Sequence, residues 1–348
     1  MANTINSLVS SAYIKSSQLV NSEPKQSSSV NINENDSFSA SESFDKLPKM
    51  PTALKSAASA ERSSKADPVK ITIISTNDMH GKLDRMPKMA AVIKVLQQQH
   101  PDAILVDGGD SSYNPPYSTN NKYKPIASVM DAINYDIINL GNHEFQFGKG
   151  TTIKEFVNIV ADEDTDVLAA NVHDKSIPDP LEGTKPYVVK DVNGIKVAFI
   201  GLVEPNMGTS ANPHVGTDLV KETPVQCLNR LMPEMQKQAD IVIAMTHQGI
   251  GDDQRMLRLV AGIDLVLASH DHAVTDQALQ VGSFPNQTYI VEGGSHCRLV
   301  SLVELSVDPK SKEVVGINIK NYPVETFNVQ PDAGIAKIIS DYEKNSRR

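Results

Sequence analysis

The chain has 348 residues, of which 40% are hydrophobic and 22% charged, and its formal net charge is −9. This length is enough for one large hydrophobic core or two smaller ones. Duplex nucleic acid is bound by basic surfaces, so the acidic balance argues against a nucleic-acid polymer as the partner. The two cysteines, Cys227 and Cys297, form neither a metal-binding spacing nor a disulfide framework, and we predict two free, buried thiols.

The N-terminal segment differs in composition from the rest of the chain. Residues 1–68 are rich in serine and carry as many acidic as basic side chains, so we predict a disordered tail. The start of the chain lacks the basic and apolar segments of a signal peptide, and no apolar run approaches the roughly 20 residues that span a bilayer. We expect a soluble protein. The tail is either a flexible extension or a leader of the kind that bacterial type III secretion substrates carry.

Strand and helix patterns alternate in the first part of the remaining chain. We predict strand 69–75, helix 87–99, strand 103–106, helix 124–134, strand 136–140, helix 151–161 and strand 166–170. The dipeptide Asn193-Gly194 indicates a tight hairpin, because both residues tolerate positive φ. The later elements are hairpin strands 187–192 and 195–203, helix 223–238, strand 240–245, helix 252–261, strands 264–268, 278–281, 288–292, 298–307 and 313–322, and a helix from about 332.

This order predicts an α/β fold in which two sheets pack face to face with helices outside. We interpret residues 69–330 as one domain and residues 331–348 as a C-terminal helix.

Polar side chains are concentrated where five of the predicted strands end. In open α/β sheets, ligands bind beyond the carboxyl ends of the strands. Each residue alone has an ordinary structural explanation, but five of the nine histidines lie in these segments. We leave His100, His173, His214 and His296 as structural. The candidate site residues are Asp78, His80, Asp110, Asn142, His143, His247, His270 and His272.

These residue types indicate a site for two metal ions. Carboxylate, imidazole and amide ligands together suit Mn²⁺, Fe or Zn²⁺ rather than Ca²⁺. A carboxylate that bridges two ions holds them about 3.5–4 Å apart, and such a pair activates water. Asp110 is the one candidate ligand in its loop, and we expect its carboxylate to bridge the two ions.

The ordered motifs resemble those of the calcineurin-like metallophosphoesterases, and within them the 5′-nucleotidase branch, which includes bacterial UDP-sugar hydrolases. The resemblance covers about residues 70–345 and implies a four-layer α/β/β/α sandwich, in agreement with the strand and helix order. The motifs that carry it are Thr76-Asn77-Asp78-Met79-His80-Gly81, Gly109-Asp110, Gly141-Asn142-His143-Glu144-Phe145, Thr246-His247, His270-Asp271-His272 and Val291-Glu292-Gly293-Gly294.

The resemblance also implies roles for single residues. His143 would stabilise the transition state or protonate the leaving group without binding metal, and Asn142 would also contact the substrate phosphate. One metal ion would be held by Asp78, His80, His272 and Asp110, and the other by Asn142, His247, His270 and Asp110.

The chain departs from this branch at two points. The branch usually has Asp where this chain has Gln146, and that Asp partners the catalytic histidine. Gln146 can form a hydrogen bond but supplies no charge, so we expect a changed pH optimum or a lower rate. Typical members add a C-terminal domain that binds the nucleobase between aromatic rings, and the sequence ends near the linker to it. Tyr113, Tyr117 and Tyr123 are either a replacement stacking surface or, as we favour, solvent-side loop residues.

Four functions remain open at this stage. The first is hydrolysis of 5′-nucleotides or related small phosphates, including pyrophosphate bonds. The second is a phosphodiesterase acting on cyclic nucleotides, because the same site serves both reactions. The third is a delivered binding protein with weak or no turnover, and the fourth is a protein phosphatase. The complete ligand set argues against the third, and the nucleotidase-like motifs argue against the fourth.

Overall fold

The computed structural model describes residues 67–112, 123–145, 151–161, 163–174, 180–206, 219–283 and 287–346. The predicted tail, apart from its last two residues, lies outside this part of the chain, as do Gln146, Tyr113 and Tyr117. The predictions made for them are therefore untested. Tyr123 is described, and it is 2% exposed in the apolar core, so the prediction of a solvent-side loop residue is wrong for this tyrosine. Within the described residues, no helix is both long and apolar enough to cross a membrane.

The described elements follow the predicted order closely. The strands are β1 (Val69–Thr76), β2 (Ile104–Asp107), β3 (Ile137–Asn139), β4 (Asp166–Leu168), β5 (Val172–Asp174), β6 (Tyr187–Val192), β7 (Ile195–Val203), β8 (Leu219–Lys221), β9 (Ile241–His247), β10 (Leu265–Ser269), β11 (Leu279–Val281), β12 (Thr288–Glu292), β13 (Leu299–Val307) and β14 (Val314–Pro323). The α-helices are α1 (Met86–Gln99), α2 (Lys124–Ile133), α3 (Thr151–Val160), α4 (Pro224–Gln238), α5 (Ile250–Leu257) and α6 (Ala333–Ser346).

Most of these strands belong to two six-stranded sheets. The first has the order β14-β13-β1-β2-β3-β4, and the second has the order β11-β12-β10-β9-β7-β6. Strands β1 to β4 run parallel, and so do β7, β9, β10 and β12, whereas β13, β14, β6 and β11 pair antiparallel. Strands β5 and β8 form a separate antiparallel pair.

Three apolar clusters fill the space between four layers. The middle cluster joins the facing sides of the two sheets, with residues such as Ile73 and Phe199 fully buried. A second cluster packs α1, α2, α3 and α6 on the outer side of the first sheet. The third packs α4 and α5 on the outer side of the second sheet. The α/β/β/α arrangement, with two mixed sheets flanked by helices, confirms the predicted fold.

Local sequence signals explain several element boundaries. The Asn193-Gly194 turn joins β6 and β7 as predicted, with φ values of 54° and 82°. Helix α4 begins with a capping box, in which the Thr223 side chain and the Gln226 side chain satisfy each other's backbone N–H groups. Both cysteines are free and buried, which confirms that prediction.

Two boundaries differ from the predictions in ways that matter for the site. Strand β9 continues through His247, because that residue pairs with Val203 on one side and Ser269 on the other. His247 therefore lies inside a strand rather than after it. Helix α5 begins at Ile250, two residues before the prediction, because the Asp271 carboxylate accepts the Ile250 N–H at 2.7 Å.

Candidate metal centre

The first group of site residues combines the loop after β1 with the loop after β10. The Nε2 atoms of His80 and His272 lie 2.8 Å apart, and Oδ1 of Asp78 lies 3.3 Å from His272 Nε2 and 3.6 Å from His80 Nε2. Ligand atoms about 2.0–2.2 Å from one ion lie about 3.0–3.5 Å from each other. These three side chains therefore have a spacing that fits a shared cation.

The second group joins the loop after β2 to the end of β9 and the loop after β10. Asp110, His247 and His270 offer ligand atoms that all lie within 4.8 Å of one another. Oδ2 of Asp110 lies 3.1 Å from His247 Nε2, and His247 Nδ1 lies 3.0 Å from the Gly108 carbonyl oxygen. Because that carbonyl can only accept, Nδ1 carries the proton and Nε2 is left as the atom that can bind a metal.

Asp110 lies between these two groups. Besides the group with His247 and His270, Asp110 belongs to a group with His80 and His143. The ligand atoms of these three residues also lie within 4.8 Å of one another. The arrangement is the one that a bridging carboxylate requires, because its neighbours on either side belong to different groups.

His143 and Asn142 lie in a one-turn 3₁₀ helix, Asn142–Phe145, directly after Gly141. The His143 N–H donates to Asp110 Oδ1 at 2.8 Å, and its Nε2 lies 3.7 Å from Asp110 Oδ2. The His143 side chain is 17% exposed, so it lies at the surface of the group rather than inside it. Asn142 is buried beside it.

Unsatisfied buried oxygens provide a test of whether these residues fit a metal. Oδ1 of Asp78 and Oδ1 of Asn142 are both buried, and neither accepts a hydrogen bond within the described part of the chain. A buried polar atom without a partner costs about 1–3 kcal/mol, so native proteins rarely leave one unused. Two such oxygens among the seven predicted ligands, with the buried Nε2 of His247 that also lacks a hydrogen bond within the described residues, fit a site that cations complete.

The electrostatics of the site keep the carboxylates ionised. Burial opposes ionisation of Asp78, but the imidazoles of His272 and His80 beside it outweigh this effect and hold the pKa of the Asp78 carboxyl well below its usual range. Burial likewise disfavours the charged form of His247, but the nearby charges of Asp110 and Asp78 raise the pKa of that imidazole to about 10. These carboxylates are thus held as anions, the form that binds a cation.

The backbone of the site is unusually strained. Positive φ values between 48° and 91° occur at Asp78, His80, Asp110, His270, His272 and His296. A non-glycine residue in this conformation costs about 1–2 kcal/mol. Such residues cluster at functional sites, where the surrounding hydrogen bonds hold them in place.

Glu144 fixes the loop that carries Asp110. Its buried carboxylate accepts from the N–H groups of Gly141 at 2.7 Å, Asp110 at 3.0 Å and Ser112 at 2.9 Å, and from the Ser112 hydroxyl at 2.9 Å. On the other side, the Asn77 amide donates to Asp78 Oδ2 and to the Gly294 carbonyl. The ligands are therefore oriented by a second set of buried polar contacts.

His296 belongs to the site, although its position in the sequence gave no reason to include it. Its ring centroid lies 5.0 Å from that of His80 and 5.2 Å from that of His272. Its N–H donates to the Asp78 carbonyl at 2.7 Å. The prediction that His296 is only structural overlooked this placement. The sequence did offer one indication, because His296 lies two residues after the motif Val291-Glu292-Gly293-Gly294.

The sequence matches a known protein family. The sequence pattern of the calcineurin-like phosphoesterases matches residues 71–274, which is more than half of the chain. This match confirms the resemblance predicted from the motifs.

The chain is also similar in sequence to a nucleotide phosphoesterase and to a 5′-nucleotidase. The trifunctional nucleotide phosphoesterase protein YfkN of Bacillus subtilis is 24% identical over 69% of this chain and 18% of its own length. A 5′-nucleotidase of Diplobatis ommata is 26% identical over 65% of this chain and 43% of its own length. The chain thus spans less than half the length of these two relatives.

A solved structure shares the fold. The 5′-nucleotidase precursor of Thermus thermophilus superposes with a TM-score of 0.69 at 19% identity, over 80% of this chain and 59% of that one.

Proposed function

The chain belongs to the calcineurin-like phosphoesterase family, and we propose that it hydrolyses phosphate esters with two divalent cations, with 5′-nucleotides or related small phosphates as substrates. The observation that carries this proposal is the position of Asp110 between two groups of candidate ligands. The similarity to 5′-nucleotidases supports the choice of substrate class.

Seven residues would hold the two ions. When bound, such ions supply Lewis-acid activation of water and stabilise charge on the phosphoryl oxygens. The mixed imidazole, carboxylate and amide ligands suit Mn²⁺, Zn²⁺ or Fe. Asp78, His80 and His272 would hold one ion, Asn142, His247 and His270 the other, and Asp110 both.

His143 is the residue placed to act on the substrate itself. Its backbone is tied to Asp110, and its imidazole is partly exposed beside that carboxylate. From there it would donate a hydrogen bond to a phosphoryl oxygen as charge develops, or a proton to the leaving alkoxide. Asn142, the preceding residue, would add a contact from its side-chain amide to the substrate phosphate.

Phosphodiester hydrolysis is the second candidate. YfkN, a similar protein, is described as a trifunctional nucleotide phosphoesterase, which favours a site that accepts more than one kind of ester. The same ligands and the same histidine would serve both reactions, so the two candidates differ in substrate rather than in mechanism.

The test is reconstitution of the full-length chain with Mn²⁺ and measurement of phosphate release. Substrates would be AMP, a cyclic nucleotide, bis(p-nitrophenyl) phosphate and a phosphopeptide, and bound metal would be counted by mass spectrometry. We expect two ions per chain and hydrolysis of AMP. His143→Ala should lower the rate by about 10²–10⁴-fold while retaining both ions. Two bound ions without hydrolysis of any substrate would refute the proposed function.

Asp110→Asn tests the assignment of Asp110 as the ligand that both ions would share. This variant should lose metal as well as activity, because the replaced oxygen would no longer bridge. A variant that keeps two ions and full activity would overturn the assignment of Asp110.

A further inference from the structure

Asp107 is the last residue of β2, three positions before Asp110, and its side chain is fully buried. Its Oδ1 accepts the Gly109 N–H at 3.1 Å and the Ser111 hydroxyl at 2.6 Å. Gly109 and Ser111 are the two chain neighbours of Asp110. One oxygen of Asp107 therefore holds the loop on both sides of the candidate bridging ligand.

The other oxygen of Asp107 contacts the segment that leads to the first group of ligands. Oδ2 accepts the Thr76 hydroxyl at 2.8 Å. Thr76 is the last residue of β1, two positions before Asp78. Because both oxygens of Asp107 are bonded, to residues from different strands, this carboxylate fixes the loop after β1 relative to the loop after β2.

Tyr135 extends this set of buried hydrogen bonds. Its hydroxyl lies 2.8 Å from Thr76 Oγ1. The single hydrogen of the Thr76 hydroxyl goes to Asp107, so the Tyr135 hydroxyl is the donor in this contact. Tyr135 and Thr76 are both buried. The Thr76 hydroxyl is therefore held from both sides and directed at Asp107.

The backbone between these contacts needs such support. Positive φ values of 50°, 48° and 53° occur at Asp78, His80 and Asp110, a conformation that costs a non-glycine residue free energy. The two loops are also joined directly, since the Asp78 N–H donates to the Gly109 carbonyl and the His80 N–H to the Asp110 carbonyl, both at 2.9 Å. A shift of either loop would therefore move ligands of both groups, and the bonds of Asp107 oppose that shift.

We propose that Asp107 is a positioning residue for the candidate metal centre. Through the hydroxyls of Thr76 and Ser111 it holds the loop after β1 against the loop after β2. The inference rests on the proposed function, because it assumes that the residues of these loops hold cations. Glu144 acts differently, since it ties the loop of Asp110 to its own 3₁₀ helix and to Gly141 rather than to the loop after β1.

Two substitutions at Thr76 test this role in the full-length chain. Thr76→Val keeps the shape of the side chain but removes its hydroxyl, whereas Thr76→Ser keeps the hydroxyl. Mn²⁺ affinity would be measured by calorimetry at about pH 8, where the Asp107 carboxyl is ionised, because burial raises its pKa to about 7. Affinity should fall about 10–100-fold in Thr76→Val, as for other residues that orient metal ligands, and stay within about twofold of the wild type in Thr76→Ser.

Thr288→Val is the matched control, because it also removes a buried threonine hydroxyl, one that donates to the Ile263 carbonyl at 2.6 Å. Thr288 begins β12, which runs parallel to β10, so it lies at the edge of the sheet opposite the candidate site. This variant should lose stability but keep its Mn²⁺ affinity. Equal affinity losses in Thr76→Val and Thr288→Val, or no loss in Thr76→Val, would overturn the positioning role.

The link between the two loops is tested by combining Thr76→Val with Ser111→Ala, which removes the other hydroxyl bonded to Asp107. Because both hydroxyls act through one carboxylate, the loss of affinity in the double variant should differ at least about twofold from the product of the two single losses. Losses that simply multiply would mean that each hydroxyl acts on its own loop alone, and would overturn the proposal.

Calorimetry needs no turnover, so this inference and the proposed function can fail separately. A chain that binds Mn²⁺ and shows the expected losses, but hydrolyses no substrate, would refute the proposed function and support the positioning role. Hydrolysis with an Mn²⁺ affinity that Thr76→Val leaves unchanged would do the reverse. A wild-type chain that binds no Mn²⁺ would overturn both.

Discussion

Glu144→Gln tests whether the buried hydrogen bonds that Glu144 accepts from the loop of Asp110 stabilise the candidate site. The wild-type carboxylate accepts four hydrogen bonds, two at each oxygen. Glutamine has the same shape, but its NH₂ group can only donate. Placed at Oε2, it would face the N–H groups of Gly141 and Asp110. Placed at Oε1, it would face the Ser112 N–H and a hydroxyl that can rotate to accept, so this orientation costs less.

The cost follows from that orientation. One buried N–H, that of Ser112, loses its acceptor, at about 1–3 kcal/mol, and replacing a charged acceptor weakens the remaining bonds by about 1 kcal/mol. Burial and the charge of Asp110 raise the pKa of Glu144, so removing the charge relieves some repulsion. We expect a net loss of about 2–3 kcal/mol in the free energy of unfolding. Mn²⁺ affinity should fall about 10–100-fold, as for other residues that orient metal ligands.

Urea unfolding of the metal-free chain gives the stability change, and titration with Mn²⁺ gives the affinity. Glu155→Gln is the control, because Glu155 is exposed on α3 and should change stability by less than about 0.5 kcal/mol. If Glu144→Gln is as stable as this control and binds Mn²⁺ as tightly as the wild type, the four hydrogen bonds do not organise the site, and the reasoning is wrong.

Three other changes have defined outcomes. Gly141→Ala should abolish Mn²⁺ binding, since the added Cβ would lie 2.2 Å from Asp110 Oδ1 and 2.8 Å from His247 Cε1. Gly251→Ala on α5 is the control and should bind Mn²⁺ normally, because its Cβ would lie no closer than 3.9 Å to another side chain. Burial raises the pKa of Asp253 to about 7, so the folded state keeps a proton that the unfolded state releases above pH 3.8. Stability should therefore fall by up to about 4 kcal/mol as pH rises from about 4 to 7, and a pH series of Asp253→Asn should lack this fall. Chelation of the loaded chain should lower its free energy of unfolding by about 2.7 kcal/mol per site if the free metal had been at 100 times Kd, and an unchanged melting temperature would contradict bound metal.

The fold was predictable because its signals are local. The β-branched run at Val69–Thr76 and the Asn193-Gly194 turn need no distant partner to be recognised. Strands β5 and β8 were not predicted, and they pair only with each other, outside the two large sheets. The start of α5 escaped prediction because its cap, Asp271, comes from another loop.

The sequence indicated which residues meet at the candidate site for a similar reason. It did not indicate the backbone conformations that place them there. Parallel strands deliver their carboxyl ends to one edge, so residues after β1, β2 and β10 could be expected to meet. His296 arrives instead through the antiparallel pairing of β13 with β1, a long-range contact that no local pattern encodes. The left-handed backbone at Asp78 and His80 is likewise imposed by contacts with distant loops, including the bond from the Asp78 N–H to the Gly109 carbonyl.

The central position of β1 in the first sheet governs when that sheet can be completed. Strand β1 lies between β2, its near neighbour in the chain, and β13, which is translated long afterwards. Until β13 leaves the ribosome, β1 has one open edge of unpaired backbone groups, and such edges template aggregation. Pairings of this sequence separation also slow folding. We therefore expect β1 to keep an exposed edge until β13 has been made, and the loop of His296 to close over Asp78 only after β13 pairs with β1.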